Sequence, residues 1–237
     1  MNQRQAFPGD FFSSAGLNRQ HVFTLDALPA ETLAPLNRQA GEQQLILLGH
    51  AGRRLWECVQ TAGQGGEDPI DDYTSAAVDR CFAEFLPENH YRILYPGPAM
   101  IGLQALGKLA GWHHPSPFMI GVDRQWGSWF AYRAVVLSDT AFSPTTPVDR
   151  NKPENTSPCL DCIARPCISA CPAGATGEHF QLEACSNERL RPGSACALGC
   201  LARQACPAGS THRYSEAQIR HSYAKSLKIL ENWQRMR

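Results

Sequence analysis

The 237-residue chain has no charge surplus: 22 Lys and Arg stand against 22 Asp and Glu. A protein that grips phosphate backbones in general needs excess basic charge, so the balance argues against that class. No uncharged apolar run approaches the ~20 residues that span a bilayer. The opening MNQRQAFPGDFFSSAG lacks the charged-then-apolar build of a secretory leader, which leads to the expectation of a cytoplasmic protein. The glycines of Gly49–Gly52 lack the remaining spacing of a dinucleotide fingerprint. What is present is an apolar fraction of 43%, enough for a sizeable core, and ten cysteines.

The cysteines are unevenly placed. Cys58 and Cys81 lie apart in the first part of the chain, and the other eight fall between Cys159 and Cys206. Such crowding points to a disulfide framework, zinc sites or iron–sulfur clusters.

Ahead of them, strand and helix patterns alternate. Gln44–Leu48 is a short apolar run that reads as a strand ending in a glycine loop, and Arg53–Gln60 can follow as a helix. Asp68-Pro69 marks a helix start. Ile70, Tyr73, Ala77, Val78, Cys81, Phe82 and Phe85 then recur at the steps of one buried helix face, which makes Cys81 a packing residue. Tyr91–Leu94 reads as a strand and Met100–Leu109 as a helix. Phe118–Val122 and Ser128–Leu137 read as two strands of a hairpin joined across Asp123–Gly127. The expected class is therefore α+β, with an antiparallel pair. Thr140–Pro158 is rich in Pro, Thr, Ser and Asn and reads as a connection. Ser215 caps a last helix reaching about Met236, with Ile219, Tyr223, Leu227, Leu230 and Trp233 on one face, expected against the first domain.

The cysteine region divides into Cys159-x2-Cys162-x4-Cys167-x3-Cys171-Pro172 and Cys185-x10-Cys196-x3-Cys200-x5-Cys206-Pro207. Each group closes on a copy of Ala-Cys-Pro-Ala-Gly. Three closely spaced thiolates can wrap one face of an iron–sulfur cube, and the fourth ligand must come from elsewhere. In two-cluster ferredoxins the cysteine before proline serves the other cluster. Applied here, one [4Fe–4S] cluster takes Cys159, Cys162, Cys167 and Cys206, and the other takes Cys171, Cys185, Cys196 and Cys200. Four residues separate Cys162 from Cys167 where the bacterial ferredoxin run has two. Zinc would use CxxC pairs, and only Cys159/Cys162 has that spacing. A disulfide scaffold conflicts with the missing leader and the large domain that precedes it.

This cysteine region resembles the double-cluster module of the epoxyqueuosine reductase family, in which the ligands are exchanged in the same way. Ile101-Gly-Leu-Gln-Ala-Leu-Gly-Lys108 is similar to that family's Gly- and Lys-containing helix. Ile120-Gly-Val-Asp-Arg-Gln-Trp-Gly-Ser-Trp-Phe-Ala-Tyr-Arg-Ala-Val-Val-Leu137 resembles a strand of the CblC-type cobalamin-processing proteins, as Asp68-Pro-Ile-Asp71 resembles another of their segments. The two resemblances imply a nitroreductase-like α+β corrinoid-binding domain at 1–145 and a linker at 146–158. They imply a ferredoxin-like module with two [4Fe–4S] clusters at 159–212, and the final helix at 213–237. They also imply a bound cobalamin, electrons delivered from an external flavodoxin- or ferredoxin-type donor, and Trp129, Phe130 and Arg133 on the strand that lines the corrinoid pocket.

A plainer alternative puts Trp129 and Phe130 in an ordinary core. Arg133, between Ala131 and Val135, needs either a partner or a ligand. The resemblance also has a gap: Tyr91–Ile101 holds no Asp or Glu where the reductases carry an acidic proton donor, which weighs against reduction of a tRNA base, as does the neutral charge. No histidine lies in an Asp-x-His-x-x-Gly run that could offer cobalt a lower ligand. His113 and His114 are the histidines placed for a polar role. The expected activity is an iron–sulfur oxidoreductase acting on a bound corrinoid. A non-catalytic cobalamin carrier and a flavin-binding electron-transfer protein are the alternatives.

Overall fold

The structure is a computed structural model that describes residues 6–149, 152 and 155–236. It is a mixed helix-and-sheet protein, as the pattern of runs predicts, and it divides into two compact units: Met1–Gly111 with Phe130–Val148, and Trp112–Trp129 with Asp149–Arg237. Among the described residues, no helix is long and apolar enough to cross a membrane.

The first unit is built on a four-stranded antiparallel sheet. Its strands are β1 (Arg19–Thr24), β2 (Gln44–Ala51), β3 (Tyr91–Tyr95) and β4 (Phe130–Ser138), in the order β1-β2-β4-β3. The apolar run at 44–48 forms β2, which continues through Gly49, His50 and Ala51, all buried, before Gly52 turns the chain at φ 72°. Successive residues face opposite sides of a sheet. Ile46 and Leu48 share one face with Ala134 and Val136 of β4, and Leu45 and Leu47 share the other with Val135 and Leu137. All eight are buried, so the two central strands are covered on both sides.

Helices α1 (Gly9–Ser14), α2 (Ala30–Leu33), α3 (Arg54–Thr61), α4 (Pro69–Phe85) and α5 (Leu103–Leu109) complete this unit. α4 begins where Asp68-Pro69 predicts. It buries Ile70, Tyr73, Ala77, Val78, Cys81 and Phe82 in a core shared with Phe12, Leu17, Ile46 and Val136. Cys81 is fully buried there, and burial pushes its thiol up to about 12, as befits a packing residue. Phe85 departs from the pattern. It stands half exposed at the last turn, its ring edge-on to Phe11 with ring centres 5.4 Å apart.

The stretch read as a connection begins inside the sheet unit. Buried Gln44 donates to the Phe142 carbonyl and accepts from Thr140 Oγ1 and the Phe142 amide, while Thr145 Oγ1 accepts from the Val22 amide. Residues 150, 151, 153 and 154 of the expected linker lie outside the described residues.

The expected hairpin is corrected. Phe118–Val122 is not a strand: it contributes one isolated bridge, His114 to Val122, and Asp123 pairs with Gly127 to close a tight loop. The Trp126 amide donates to Asp123 Oδ1 at 2.6 Å inside that loop. β4 starts only at Phe130 and takes β2 and β3 as neighbours, leaving no free edge for a hairpin partner. The Phe118 and Val122 side chains, which suggested a half-buried strand, are buried instead against Cys167, Ala202 and Cys206.

The second unit holds α6 (Pro166–Ser169), α7 (Leu182–Leu190), α8 (Leu201–Ala205) and α9 (Glu216–Arg235). Ser215 caps α9, its hydroxyl accepting from the Gln218 amide. Ile219 and Tyr223 pack with Trp129 and Tyr214, and Arg189 of α7 reaches the Tyr223 carbonyl and Ser226.

Candidate redox centre

Short helices joined by turns carry the eight clustered thiols, Cys167 within α6, Cys185 inside α7 and the other six on turns and helix caps, where several can face one space. Cys159, Cys162, Cys167 and Cys206 line a cavity of about 470 Å³, with Pro158, Arg165 and Phe118 on its walls. Cys171, Cys185, Cys196 and Cys200 line a second cavity of about 140 Å³, with Phe180, Arg189 and Tyr223. These are the two sets drawn from the Cys-Pro exchange rule, including the crossing of Cys171 and Cys206 into the opposite group.

The electrostatics divide the thiols in the same way. Burial raises the Cys167 thiol, and Cys206, Cys159 and Cys162 raise it further. Burial raises Cys206, with Cys159 and Cys162 adding to it. Burial pushes Cys185 up to about 11; Cys200, Cys171 and Cys196 reinforce that shift and Arg189 opposes it. Cys196 is raised by burial, then by Cys200, Glu188 and Cys171. Four thiolates side by side in each cavity would repel one another, and a positive centre among them removes that cost.

All ten cysteines are free of disulfides. Among the described residues, no group of three or more His, Cys, Asp or Glu is arranged to hold one metal ion. Each quartet surrounds a space. An all-cysteine donor set of four around a cavity suits an iron–sulfur cluster, whose irons are ligated at its corners by thiolate.

The repeated Ala-Cys-Pro-Ala-Gly has a geometric purpose at its second copy. Gly209 has φ 61° and Gly127 φ 58°. A Cβ on Gly209 would strike the Trp126 carbonyl carbon, and one on Gly127 would strike the Ala208 carbonyl. The two backbones meet at van der Waals closeness, as only glycine allows. This contact seats the loop at 112–129 against Cys206. Phe118 and Val122 then pack on Cys167 and Cys206.

The residues named for a corrinoid pocket are engaged by protein groups. Trp129 is buried, edge-on to Tyr214 at 5.4 Å, with the Arg203 guanidinium 4.4 Å from its ring centre. Phe130 is buried edge-on to Tyr132, with the Arg19 guanidinium 4.8 Å from its ring centre. Arg133 has its partner within the protein: Nε lies 3.0 Å from His50 Nδ1, and Nη1 lies 3.9 Å from Asp71 Oδ1.

A β-bulge produces that placement. Leu48 pairs with Ala134 and Gly49 with Tyr132, so Arg133 is the extra residue and the strict alternation breaks there. Asp71 of α4 and Arg133, singled out separately in the sequence, are thus neighbours. Tyr95 shares their surroundings, its phenol raised by burial, moderated by Arg133 and reinforced by Asp71. His113 is buried against Gly121, and the His114 backbone pairs with Val122.

No protein-family model and no curated protein sequence matches this chain. Solved structures do. Epoxyqueuosine reductase with an epoxyqueuosine-modified tRNA-Tyr stem loop aligns at TM-score 0.55 and 11% identity, over 90% of this chain and 67% of that one. The Bacillus subtilis epoxyqueuosine reductase aligns at TM-score 0.53 and 10% identity, over 87% of this chain and 66% of its own. A reductive dehalogenase, whose structure suggests a mechanism for B12-dependent dehalogenation, aligns at TM-score 0.54 and 13% identity, over 98% of this chain and 37% of its own. At these identities the likeness is one of fold. The chain spans about two thirds of the reductases and little over a third of the dehalogenase.

Proposed function

We propose that this protein is a cytoplasmic iron–sulfur oxidoreductase. Its two [4Fe–4S] clusters are held by Cys159, Cys162, Cys167 and Cys206 and by Cys171, Cys185, Cys196 and Cys200. They pass single electrons from a flavodoxin- or ferredoxin-type donor to a corrinoid acceptor. The observation that carries the reading is the sorting of eight free thiols into two fours about two cavities. What the clusters supply, when bound, is low-potential one-electron transfer. The chain's own residues supply the dry surroundings: Phe118 and Ile120 beside both sets of thiols, and Phe180 and Tyr223 around the tighter one.

The corrinoid is supported by the fold shared with a dehalogenase whose structure suggests a B12-dependent mechanism, and the CblC-like, nitroreductase-like character of the sheet unit rests on the resemblance of residues 68–71 and 120–137. No residue of this chain is assigned to the corrinoid, and the engagement of Arg133 by His50 and Asp71 favours a second reading. In it the sheet unit binds flavin or a partner protein, and the molecule is an electron-transfer protein.

Anaerobic reconstitution with iron and sulfide tests the first reading. The expected product carries two clusters per chain by iron and sulfide analysis and by electron paramagnetic resonance, and it changes the visible bands of added cobalamin under reduction. Two intact clusters with cobalamin neither bound nor reduced would leave the second reading. A protein that holds no clusters would overturn both.

A further inference from the structure

Near the thiols of Cys171, Cys185, Cys196 and Cys200 stand two arginines, Arg189 on the cavity wall and Arg203 next to Cys200, whose charge no carboxylate among the described residues answers. Arg203, in α8, is 7% exposed. Its Nε donates to Ser128 Oγ at 3.2 Å and its Nη2 to the Ser128 carbonyl at 2.5 Å. The guanidinium lies 4.4 Å from the Trp129 ring centre and 5.1 Å from that of Tyr214. Its own backbone amide donates to Cys200 Sγ at 3.4 Å, which fixes the residue beside that thiol.

Arg189 itself lines the cavity of these four thiols. It donates to the carbonyls of Cys196, Ala197 and Tyr223 and to Ser226 Oγ. Every one of these acceptors is neutral. Glu188, the nearest acid on the cavity wall, is taken up by Arg191 and Ser194. Among the described residues, no carboxylate lies within ion-pair distance of Arg203 or Arg189.

A buried guanidinium loses hydration that carbonyls, hydroxyls and ring faces offset only in part. The described residues place no anion beside it, whereas a thiolate-ligated cluster in the adjoining cavity would be one. The other quartet differs. Arg124 near it is paired with Asp161 at 2.7 Å, and Arg165 is exposed and so screened by solvent and salt.

We infer that Arg203 is the charge partner of the cluster held by the Cys171 set and raises that cluster's reduction potential, an inference that rests on the two-cluster reading. The reduced cluster carries one more negative charge than the oxidised one. A fixed cation in a dry setting therefore favours the reduced form, and the amide donating to Cys200 acts in the same sense. Arg203 works through its charge, and Trp129, Tyr214 and Ser128 hold it in position.

The test is a redox titration of the reconstituted full chain, followed by paramagnetic resonance. It compares Arg203→Gln, Arg203→Lys and, as a surface control, Arg220→Gln, with the two steps assigned by Cys185→Ser. Arg203→Gln is expected to lower the reduced-to-oxidised ratio of the Cys171-set cluster about tenfold at fixed poise, about 59 mV for one electron. The other cluster stays in place, and Arg203→Lys keeps most of the wild-type value. Should Arg203→Gln fail to hold both clusters, Arg189→Gln gives the same readout, with a smaller fall expected. Equal shifts in the Gln and Lys variants would mark a packing role and overturn the inference, as would no shift in any variant. Failure of the wild-type chain to hold two clusters would instead overturn the reading beneath it.

Discussion

The two units are stabilised by different means. In the sheet unit, Leu45, Leu47, Leu48, Val135 and Leu137 are wholly buried, and cross-strand pairs such as Leu47 with Val135 stack along β2 and β4. Apolar burial at roughly 25 cal/mol per Å² accounts for such a core. The cysteine unit has helices of four, nine and five residues in α6, α7 and α8, each too short to persist alone. The buried cluster around its first thiol set is Phe118, Val122, Cys167, Ala202 and Cys206, so cysteine stands where another domain would place leucine. Where thiols occupy the core, order depends on what the thiols hold.

Removing iron probes that contrast most strongly. Anaerobic chelation should abolish amide-exchange protection across residues 159–206 while β2 and β4 keep theirs, because structural metal binding is itself folding free energy. Protection that survives equally in both units would erase the contrast. The converse experiment is Leu47→Ala, which empties a site buried on a central strand. It should cost the sheet unit about 2–5 kcal/mol in urea unfolding, with iron content unchanged. Iron loss on the same scale as the destabilisation would show that the two cores are not independent.

Acid offers the third probe. His21 on β1 is 4% exposed, and burial lowers its pKa to about 4. Between about pH 6.5 and 4 the unfolded chain takes up a proton that the folded chain refuses, so stability falls as pH falls through that window. The loss is about 3 kcal/mol when complete. Exchange of β1 and β2 amides should report it, and His21→Gln should flatten the dependence. A slope unchanged in that variant would place its origin in another group.

Much of this was legible in the residues because the signals were local. β2, α3, α4, β3 and α9 follow from apolar period, Asp68-Pro69 and Ser215, which act within a few residues of themselves. The two sets of four thiols follow from spacing and from the cysteine–proline pairs. Signals that depend on distant segments were lost. Phe118–Val122 has a strand's composition, yet its buried side chains answer to Cys167 and Cys206, far along the chain. The alternation from Ser128 to Val135 could not register the bulge that turns Arg133 toward His50 and Asp71. Arg203 and Arg189 were invisible among 22 basic residues, since only the fold shows which of them have no acid within ion-pair distance among the described residues. The helical steps of α4 put Phe85 on the buried face, whereas at the last turn of the helix it is half exposed.

The loop at 112–129 has a consequence for how such a protein can be divided or inherited. The chain leaves the sheet unit after α5, contributes Phe118, Val122 and Trp129 to the cysteine unit, and returns as β4, an interior strand. Neither unit is therefore a continuous stretch. A chain ended at Val148 would keep every strand but expose three large apolar side chains stripped of their partners, an invitation to aggregate. One begun at Asp149 would carry all eight clustered thiols without the aromatic wall that Phe118 provides. No single cut yields two whole modules, so recombination by simple fusion cannot trade either half, and the two have to pass together from one generation of the protein to the next.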